Sequence, residues 1–480
     1  MVNSSKVCIR RLVFIRKFFY DFVPIPIGVK FVIKNKHLTI ITDVYLHWQI
    51  STSANQQIIY MKVFKFGGAS INSIERIKNA GSIIESFKGE RLLIIISAMG
   101  KTTNALEKVV DAFFDNRKED ALQLFQQVKE SHLNTLKYLI TLNWQQAENQ
   151  LKEFFTEVEW LLHDKPVRGY DYYYDQIVCC GELLSTSLVS IYLNEAGIKN
   201  KWVDVRDIVR TDNNFRDAYV DWNFTEQKVK GDIEPLFADF DIVITQGFIG
   251  ATDENESTTL GREGSDFSAA IFANILDAES QTIWKDVEAV MNADPKEFAD
   301  AENIYELSYR EVVEMAYYGA QVIHPKTIKP LENKNIPLHV RCFLKPELPG
   351  TIISNKPAHN LPPVIVLKKN QVLMELSSKD FSFVEEKPMS QLHEMFDMIK
   401  IRPNLSQNGA ISLLCCLDDN PEKIEKLALA ASEIFNVQIE KNLTLLTIRH
   451  YTEEKITELT KGKIMLLEQK TTETIQILMR

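Results

Sequence analysis

Four short apolar runs, each broken off at once by glycine or polar residues, limit what this chain can fold into more than any other feature. They span residues 63–66, 92–96, 242–245 and 282–284, and they run into "GGAS", "SAMGKTTN", "QGFIGAT" and "KDVEAV". Runs of this length rich in Val, Ile and Phe read as buried strands. The stretches between them, such as "VVDAFFDNRKEDALQLFQQVKESHLNTLKYLI", carry helical periodicity. Strands alternating with helices predict an α/β fold whose mostly parallel sheet is covered on both faces. Ligands of such sheets bind beyond the carboxyl ends of the strands, so chemistry is expected at these four endings.

After "PELPGTIISNKPAHNLPPV" the texture changes, and Pro362-Pro363 mark a linker. Beyond it, "VLMELSS", "AISLLCCL", "LTLLTIRH" and "TIQILMR" read as strands between short helices, an α+β arrangement. The expected organisation is an extension over residues 1–60, an α/β domain over 61–358 and a smaller α+β region over 364–480. Charge sets the extension apart: eight Lys or Arg face only Asp21 and Asp43, while the whole chain carries −10. Its "FVPIPIGV" holds two prolines and no small-residue cleavage site, which disfavours a signal peptide. Met61 opens a clean strand, so the upstream residues read as a poorly ordered tail or the product of a misplaced start codon. Net acidity argues against nucleic-acid partners. The six cysteines, Cys8, Cys179, Cys180, Cys342, Cys415 and Cys416, form no C-x-x-C and suit buried thiols in a reducing cytoplasm. No apolar run reads as long enough to cross a bilayer, so a soluble cytoplasmic protein is expected.

"LLIIISAMGKTTNAL" ends as a phosphate-binding P-loop does, in Gly100-Lys101-Thr102. The first glycine of that pattern would stand where the chain has β-branched Ile95. Alone, the stretch leaves open a nucleotide site, a substrate site or a plain strand-to-helix turn. In "KFGGAS", Gly67 and Gly68 can present N–H groups to an anion beside the Lys65 ammonium, and a tight turn with a surface lysine uses the same letters. In "TTLGREGSDFSAA", Arg262 can grip a carboxylate, while Asp266 stands where a helix cap would also suit. "CCGELLSTSL" puts Glu182 at a helix head, as a ligand for a substrate ammonium or as a dipole partner worth ~0.3–1 kcal/mol. "IWKDVEAVMNADPKEF" bears Lys285, Asp286, Asp294 and Lys296, and its Asp-Pro also suits a turn. "SYREVVEMAYYGAQVIHPKTI" opens on a capping box, Ser308 and Glu311, and stops at Gly319.

In this order, "KFGGAS", "SAMGKTTN", "GELLST", "TTLGREGSD", "WKDVEAVMNADPK", "EMAYYGAQVIHP" and "VRCFLKPELPGTII" resemble the signature of aspartate kinases, of the amino-acid kinase superfamily. The resemblance covers roughly residues 61–354, and the tail is similar to that family's paired ACT regulatory modules. It implies the three-layer amino-acid kinase fold and transfer of the ATP γ-phosphoryl to the side-chain carboxylate of L-aspartate. The product would be 4-phospho-L-aspartate, the first intermediate toward lysine, threonine and methionine. It further implies Lys65 and Asp266 as catalytic residues, and Thr103, Glu182, Arg262 and Ser265 as substrate contacts. Lys65, Gly67, Gly68, Ser70, Lys285, Asp286, Met291 and Lys296 would contact ATP, with Mg2+ accompanying the nucleotide and no separate protein metal site. On this reading "GKTT" is no P-loop; its loop reaches the amino acid through Thr103.

The resemblance also implies a cytoplasmic homodimer paired through ACT modules, without nucleic-acid or membrane partners. The end at Arg480 leaves no length for the dehydrogenase fused in some relatives, so a monofunctional enzyme is expected. The departures are specific. Relatives often carry threonine at Lys285, an aromatic at Met291, arginine at Lys296, lysine at Gln321 and glycine at Glu263. Lys285 is expected to replace the cation missing at Gln321, and Glu263 to add a negative charge beside Arg262. Arg402 and Pro403 stand where lysine-sensing relatives place an acid, which argues against a lysine effector. Two rivals remain. Acetylglutamate has no charged amine for Glu182, and an inactive sensor would not need Lys65, Arg262 and Asp266, although Gln321 keeps that reading open.

Overall fold

The computed structural model describes residues 61–358, 361–380, 382–383 and 386–480, and the backbone of an antiparallel strand pair, Phe31–Lys34 with His37–Ile40. The rest of the 1–60 expectation, and Cys8 with it, lies outside the described residues. In the α/β part the strands are β1 (Met61–Phe66), β2 (Arg91–Ile96), β3 (Lys201–Trp202), β4 (Ile242–Gln246), β5 (Ser280–Lys285), β6 (Glu306–Ser308), β7 (Leu338–Cys342) and β8 (Thr351–Ser354). They form one sheet in the order β6-β8-β7-β5-β1-β2-β4-β3. Every pairing is parallel except β7 with β8. Residues 92–96 are at most 1% exposed, and successive strand residues point to opposite faces, so the sheet is covered on both sides. Burying each of these side chains contributes about 1.5–3 kcal/mol.

The flanking helices follow their apolar spacing. Helix α1 (Ile74–Glu85) starts at Ser73, whose hydroxyl accepts from the Arg76 N–H at 3.3 Å. Helix α2 (Thr102–Phe114) buries Leu106, Val109, Val110 and Phe113 along one stripe. Helices α3 (Tyr170–Val178) and α4 (Cys180–Glu195) are nearly continuous, because Cys179 between them keeps helical angles, φ −54 and ψ −28. Together they are long and apolar enough to cross a membrane, which corrects the reading that no run reaches that length. Their most apolar window is 83% buried, so this segment is the core helix of the α/β part. Helices α5 (Gly264–Ile275) and α6 (Tyr309–Tyr318) complete the framework used below.

Past Pro362-Pro363 the chain builds a second sheet: β9 (Val364–Ser378), β10 (Leu405–Asn408), β11 (Ser412–Asp418), β12 (Phe435–Arg449), β13 (Met465–Lys470) and β14 (Thr474–Met479). Its order is β10-β11-β9-β12-β14-β13, antiparallel throughout. With the helices Glu386–Ile399 and Pro421–Ala431, residues 364–449 make a βαββαβ unit. The two long strands bend where Asn370 (φ 55) and Asn442 (φ 61) take left-handed angles beside a shift of register. Asparagine tolerates that conformation better than most residues. Either side of the bend has its own core, Val372, Met374 and Leu376 on one and Ile365, Leu446 and Ile448 on the other. Among the described residues the cysteines are free and buried.

Helix α6 joins the two sheets at both of its ends. Ser308 accepts from the Glu311 N–H at 3.1 Å, so the first half of the capping box forms. The Glu311 carboxylate turns away from the box and takes Arg449 of β12 at 2.8 and 3.1 Å and His450 at 3.0 Å. At the other end Gly319 (φ 107) lies so close to Lys368 that a Cβ there would come within 2.4 Å of Cε. Lys369 also reaches Glu297, at 2.6 Å, in the loop after β5.

Candidate active site

The carboxyl ends of β1, β2, β4 and β5 share one rim. Lys65 of β1 pairs in register with Ile95 of β2 and Ile283 of β5, and only 13% of its side chain is exposed. Its Nζ lies 2.7 Å from Asp266 Oδ1, whose side chain is 5% exposed. Asp266 sits in the first turn of α5 but does not cap it; the N-cap position belongs to Glu263. The capping role that the sequence allowed for Asp266 therefore gives way to a buried ion pair.

Close backbone approach explains the two glycine loops. A Cβ on Gly68 would meet Ala98 O at 2.7 Å and Gly100 O at 2.9 Å, so a side chain there would strike the neighbouring loop. The Gly100 N–H donates to Gly68 O at 3.1 Å and stitches the loops together. Gly100 itself needs its positive φ of 58, and the Thr102 hydroxyl turns back to Met99 O at 2.6 Å. "GKTT" is thus a turn into α2, with half-buried Thr103 in its first turn. Ser70 is 1% exposed and donates to Trp284 O at 3.0 Å, which ties the turn after β1 to the carboxyl end of β5.

Glu182 reaches the same rim from α4. Because α3 runs almost directly into α4, Glu182 does not stand at a free helix end, and the dipole explanation loses its basis. The residue is 2% exposed; Oε1 accepts from the Ala98 N–H at 3.2 Å, and Oε2 has no partner. Burial pushes this carboxyl up to about 8, against the Ala98 hydrogen bond and the nearby Lys65 charge. A buried carboxylate oxygen without a donor is costly unless a cation arrives.

The loop before α5 carries the next group. Arg262 is exposed and makes no ion pair among the described residues, whereas Ser265 is buried where Gly247 packs against it. Glu263 adopts φ 55, and its Oε2 accepts from the His324 N–H at 2.8 Å. The expected negative charge beside Arg262 is therefore directed to the backbone ahead of helix Pro325–Lys334. On the other flank, Lys285 Nζ donates to Val322 O at 2.8 Å, which sets it against the segment bearing exposed Gln321. Beyond β5, Asp286 and Lys296 are exposed, and half-buried Met291 lies in a short strand, Val290–Met291, paired with Asn303–Ile304.

Two residues escaped the sequence reading. Asp175 on α3 is fully buried, and burial raises its carboxyl to about 6. Its place seven residues before Glu182, on the same helical face, was the available signal. Phe248 holds φ 71 in the loop after β4, an angle bulky residues rarely adopt, with its N–H on Ser268 Oγ at 2.9 Å. Such angles have no signature in the letters.

Comparison with known proteins agrees with this geometry. Residues 61–342 match the family described as Amino acid kinase family. The chloroplastic aspartokinase 3 of Arabidopsis thaliana is 30% identical across 81% of this chain and 70% of its own length. The lysine-sensitive aspartokinase 3 of Escherichia coli K12 is 28% identical across 80% of this chain and 86% of its own. Against the chloroplastic bifunctional aspartokinase/homoserine dehydrogenase 1 of Zea mays, 33% identical over 62% of this chain, the chain spans only 32% of the relative's length. The structure of E. coli aspartokinase III in complex with aspartate and ADP superposes with a TM-score of 0.74, covering 87% of this chain and 96% of that one at 24% identity. A buried Lys–Asp pair at the rim of a parallel sheet, a matching family and relatives of the same architecture lead to one conclusion: this chain belongs to the amino acid kinase family, among the aspartokinases.

Proposed function

We propose that the chain transfers the γ-phosphoryl group of ATP to the side-chain carboxylate of L-aspartate, giving 4-phospho-L-aspartate and ADP. The observation that carries this reading is the unpartnered, buried Oε2 of Glu182, which would accept from the ammonium of an amino acid. Arg262, exposed and unpaired among the described residues, would take the α-carboxylate. Thr103 and Ser265 would line the acceptor, leaving its β-carboxylate free to attack. That nucleophile is already ionised at neutral pH, so no general base is required. The difficulty is repulsion between two anions, and Lys65, oriented by Asp266, supplies the cation where charge grows. Gly67 leaves space beside the Lys65 ammonium, since a Cβ there would lie 3.3 Å from Nζ, and with Gly68 it would admit the phosphates.

Mg2+ is the ion proposed for this site. No group of three or more Asp, Glu, His or Cys is gathered for a metal among the described residues. A divalent cation carried by nucleotide phosphates and water would meet the Asp266 carboxylate at the rim. When bound, the ion would neutralise phosphate charge. The loop bearing Asp286, Met291 and Lys296 would hold the nucleotide, with Lys285 providing the charge absent at Gln321. Lys285→Ala is then expected to raise KM for ATP about tenfold while KM for aspartate holds, measured by coupled ADP release. An unchanged KM for ATP would refute the compensation.

The test of the activity is ADP release with L-aspartate, L-glutamate and N-acetyl-L-glutamate. Turnover is expected with aspartate; turnover only with the acetylated acceptor, or with none, overturns the proposal. Glu182 adds a pH signature. Only its charged form can pair with an ammonium, and its empty-site value lies near 8. Below that value each pH unit should therefore raise KM for aspartate by up to about tenfold. Glu182→Gln is expected to raise KM at pH 8 and flatten this dependence; a parallel profile in the variant would remove Glu182 from the role.

A further inference from the structure

We propose that Asp175 is a positioning residue for the acceptor site, holding strand Ser257–Thr259 so that Arg262 stands at a set separation from Glu182. The inference rests on the assignment of the acceptor's two charged ends to those two residues. Asp175 precedes Glu182 by two helical turns on the nearly continuous α3–α4 rod, so both project from one face. Its carboxylate is 0% exposed and accepts three hydrogen bonds: from the Arg216 N–H at 2.9 Å, the Thr259 N–H at 2.8 Å and the Thr259 hydroxyl at 2.7 Å.

The adjacent side chain completes the grip. Gln176 Nε2 donates to Ser257 O at 2.7 Å, and its Oε1 accepts from the Ser257 N–H at 3.0 Å. Two consecutive helical side chains therefore do for Ser257–Thr259 what a neighbouring strand would do. On the same edge the Ala218 N–H donates to Thr259 O at 3.0 Å, and the opposite edge pairs antiparallel with Ile249–Ala251. Between Thr259 and Arg262 stand only Leu260, whose N–H is bonded to Phe248 O at 2.8 Å, and Gly261, fixed at φ 77 against Asp217. The path from the Asp175 carboxylate to Arg262 thus has little slack, and one helical rod carries both Asp175 and Glu182.

No cation pairs with Asp175 among the described residues; N–H and O–H donors alone meet its oxygens. What it supplies is carried mainly by these three hydrogen bonds, with the Arg216 charge acting at longer range. Asp175→Ala removes all three bonds and lets the Arg262 loop drift. Asp175→Asn keeps a carbonyl oxygen for the two N–H groups and offers an NH2 that the Thr259 hydroxyl can accept by turning.

The experiment measures both Michaelis constants, aspartate binding by calorimetry, and melting temperature for the full chain and its variants. Asp175→Ala is expected to raise KM for aspartate about tenfold to a hundredfold with KM for ATP within about twofold, since small misplacements of a positioning group cost this much. Asp175→Asn is expected to recover most of that loss. If Asp175→Ala does not fold, Thr259→Val, which removes one of the three bonds, is expected to raise KM for aspartate more modestly. An unchanged KM for aspartate in the folded variant, or equal rises in both constants, overturns the inference. Should the wild type bind no aspartate, the assignment of Glu182 and Arg262 fails and takes the positioning role with it; wild-type binding that Asp175→Ala leaves intact fails the positioning role alone.

Discussion

Lys65→Met is expected to lower kcat by about 10²–10³, the usual cost of deleting one preorganised group aimed at developing charge. Three features make this the largest effect on catalysis. Lys65 stands between Phe64 and Phe66 at the carboxyl end of β1, its side chain is 13% exposed, and Asp266 at 2.7 Å holds it at the rim. Water cannot readily replace it there, and methionine keeps most of its volume. Because Asp266 acts through Lys65, the double variant Lys65→Met/Asp266→Asn should be little worse than Lys65→Met alone. Single-turnover kinetics would show the loss in the chemical step. A kcat within threefold of wild type would mean that phosphoryl transfer does not pass this ammonium.

Arg449→Met should be the most damaging change to stability, at about 3–5 kcal/mol, because it leaves the buried Glu311 carboxylate with His450 alone rather than merely losing an attraction. Arg449 is 4% exposed and ties Glu311 of the kinase domain to β12 of the second sheet, with Glu314, Glu473 and the Thr474 hydroxyl also around it. A urea titration would register the loss. Removing both charges, as Arg449→Met/Glu311→Met, is expected to return much of it, since a pair replaced by apolar groups leaves no uncompensated ion. Acid should act in the same direction. Burial raises the Glu311 carboxyl, but Arg449 and His450 outweigh it and hold the group below the usual 4.5. Stability from this joint is therefore present above pH 4.5 and is lost as pH falls through the lower folded value. A double variant no more stable than Arg449→Met would show that the stranded charge is not the cause.

Other features were legible because they depend on neighbours along the chain. β1, β2, β4 and β5 announce themselves since strands buried on both faces must be apolar at successive positions. Gly319 ends α6 with the positive φ its type suggests. The second sheet was only half visible. Lys368, Lys369 and Lys441 beside the bends at Asn370 and Asn442 interrupt the apolar pattern, so two 15-residue strands read as shorter ones. Glu311 shows the same limit: its spacing from Ser308 suits a capping box, and its carboxylate instead joins the domains.

Apolar rhythm and glycine placement suffice for the alternating strands and helices and for the rim where ligands should gather, because burial and backbone sterics act residue by residue. The roles of charged side chains were a different matter. Asp266 and Glu182 each fit an ordinary helix-end role by their letters alone. The fold chose otherwise by packing Lys65 against one and burying the other with one carboxylate oxygen unpartnered. Coulomb attraction and desolvation work through space, so partners far apart in sequence decide them.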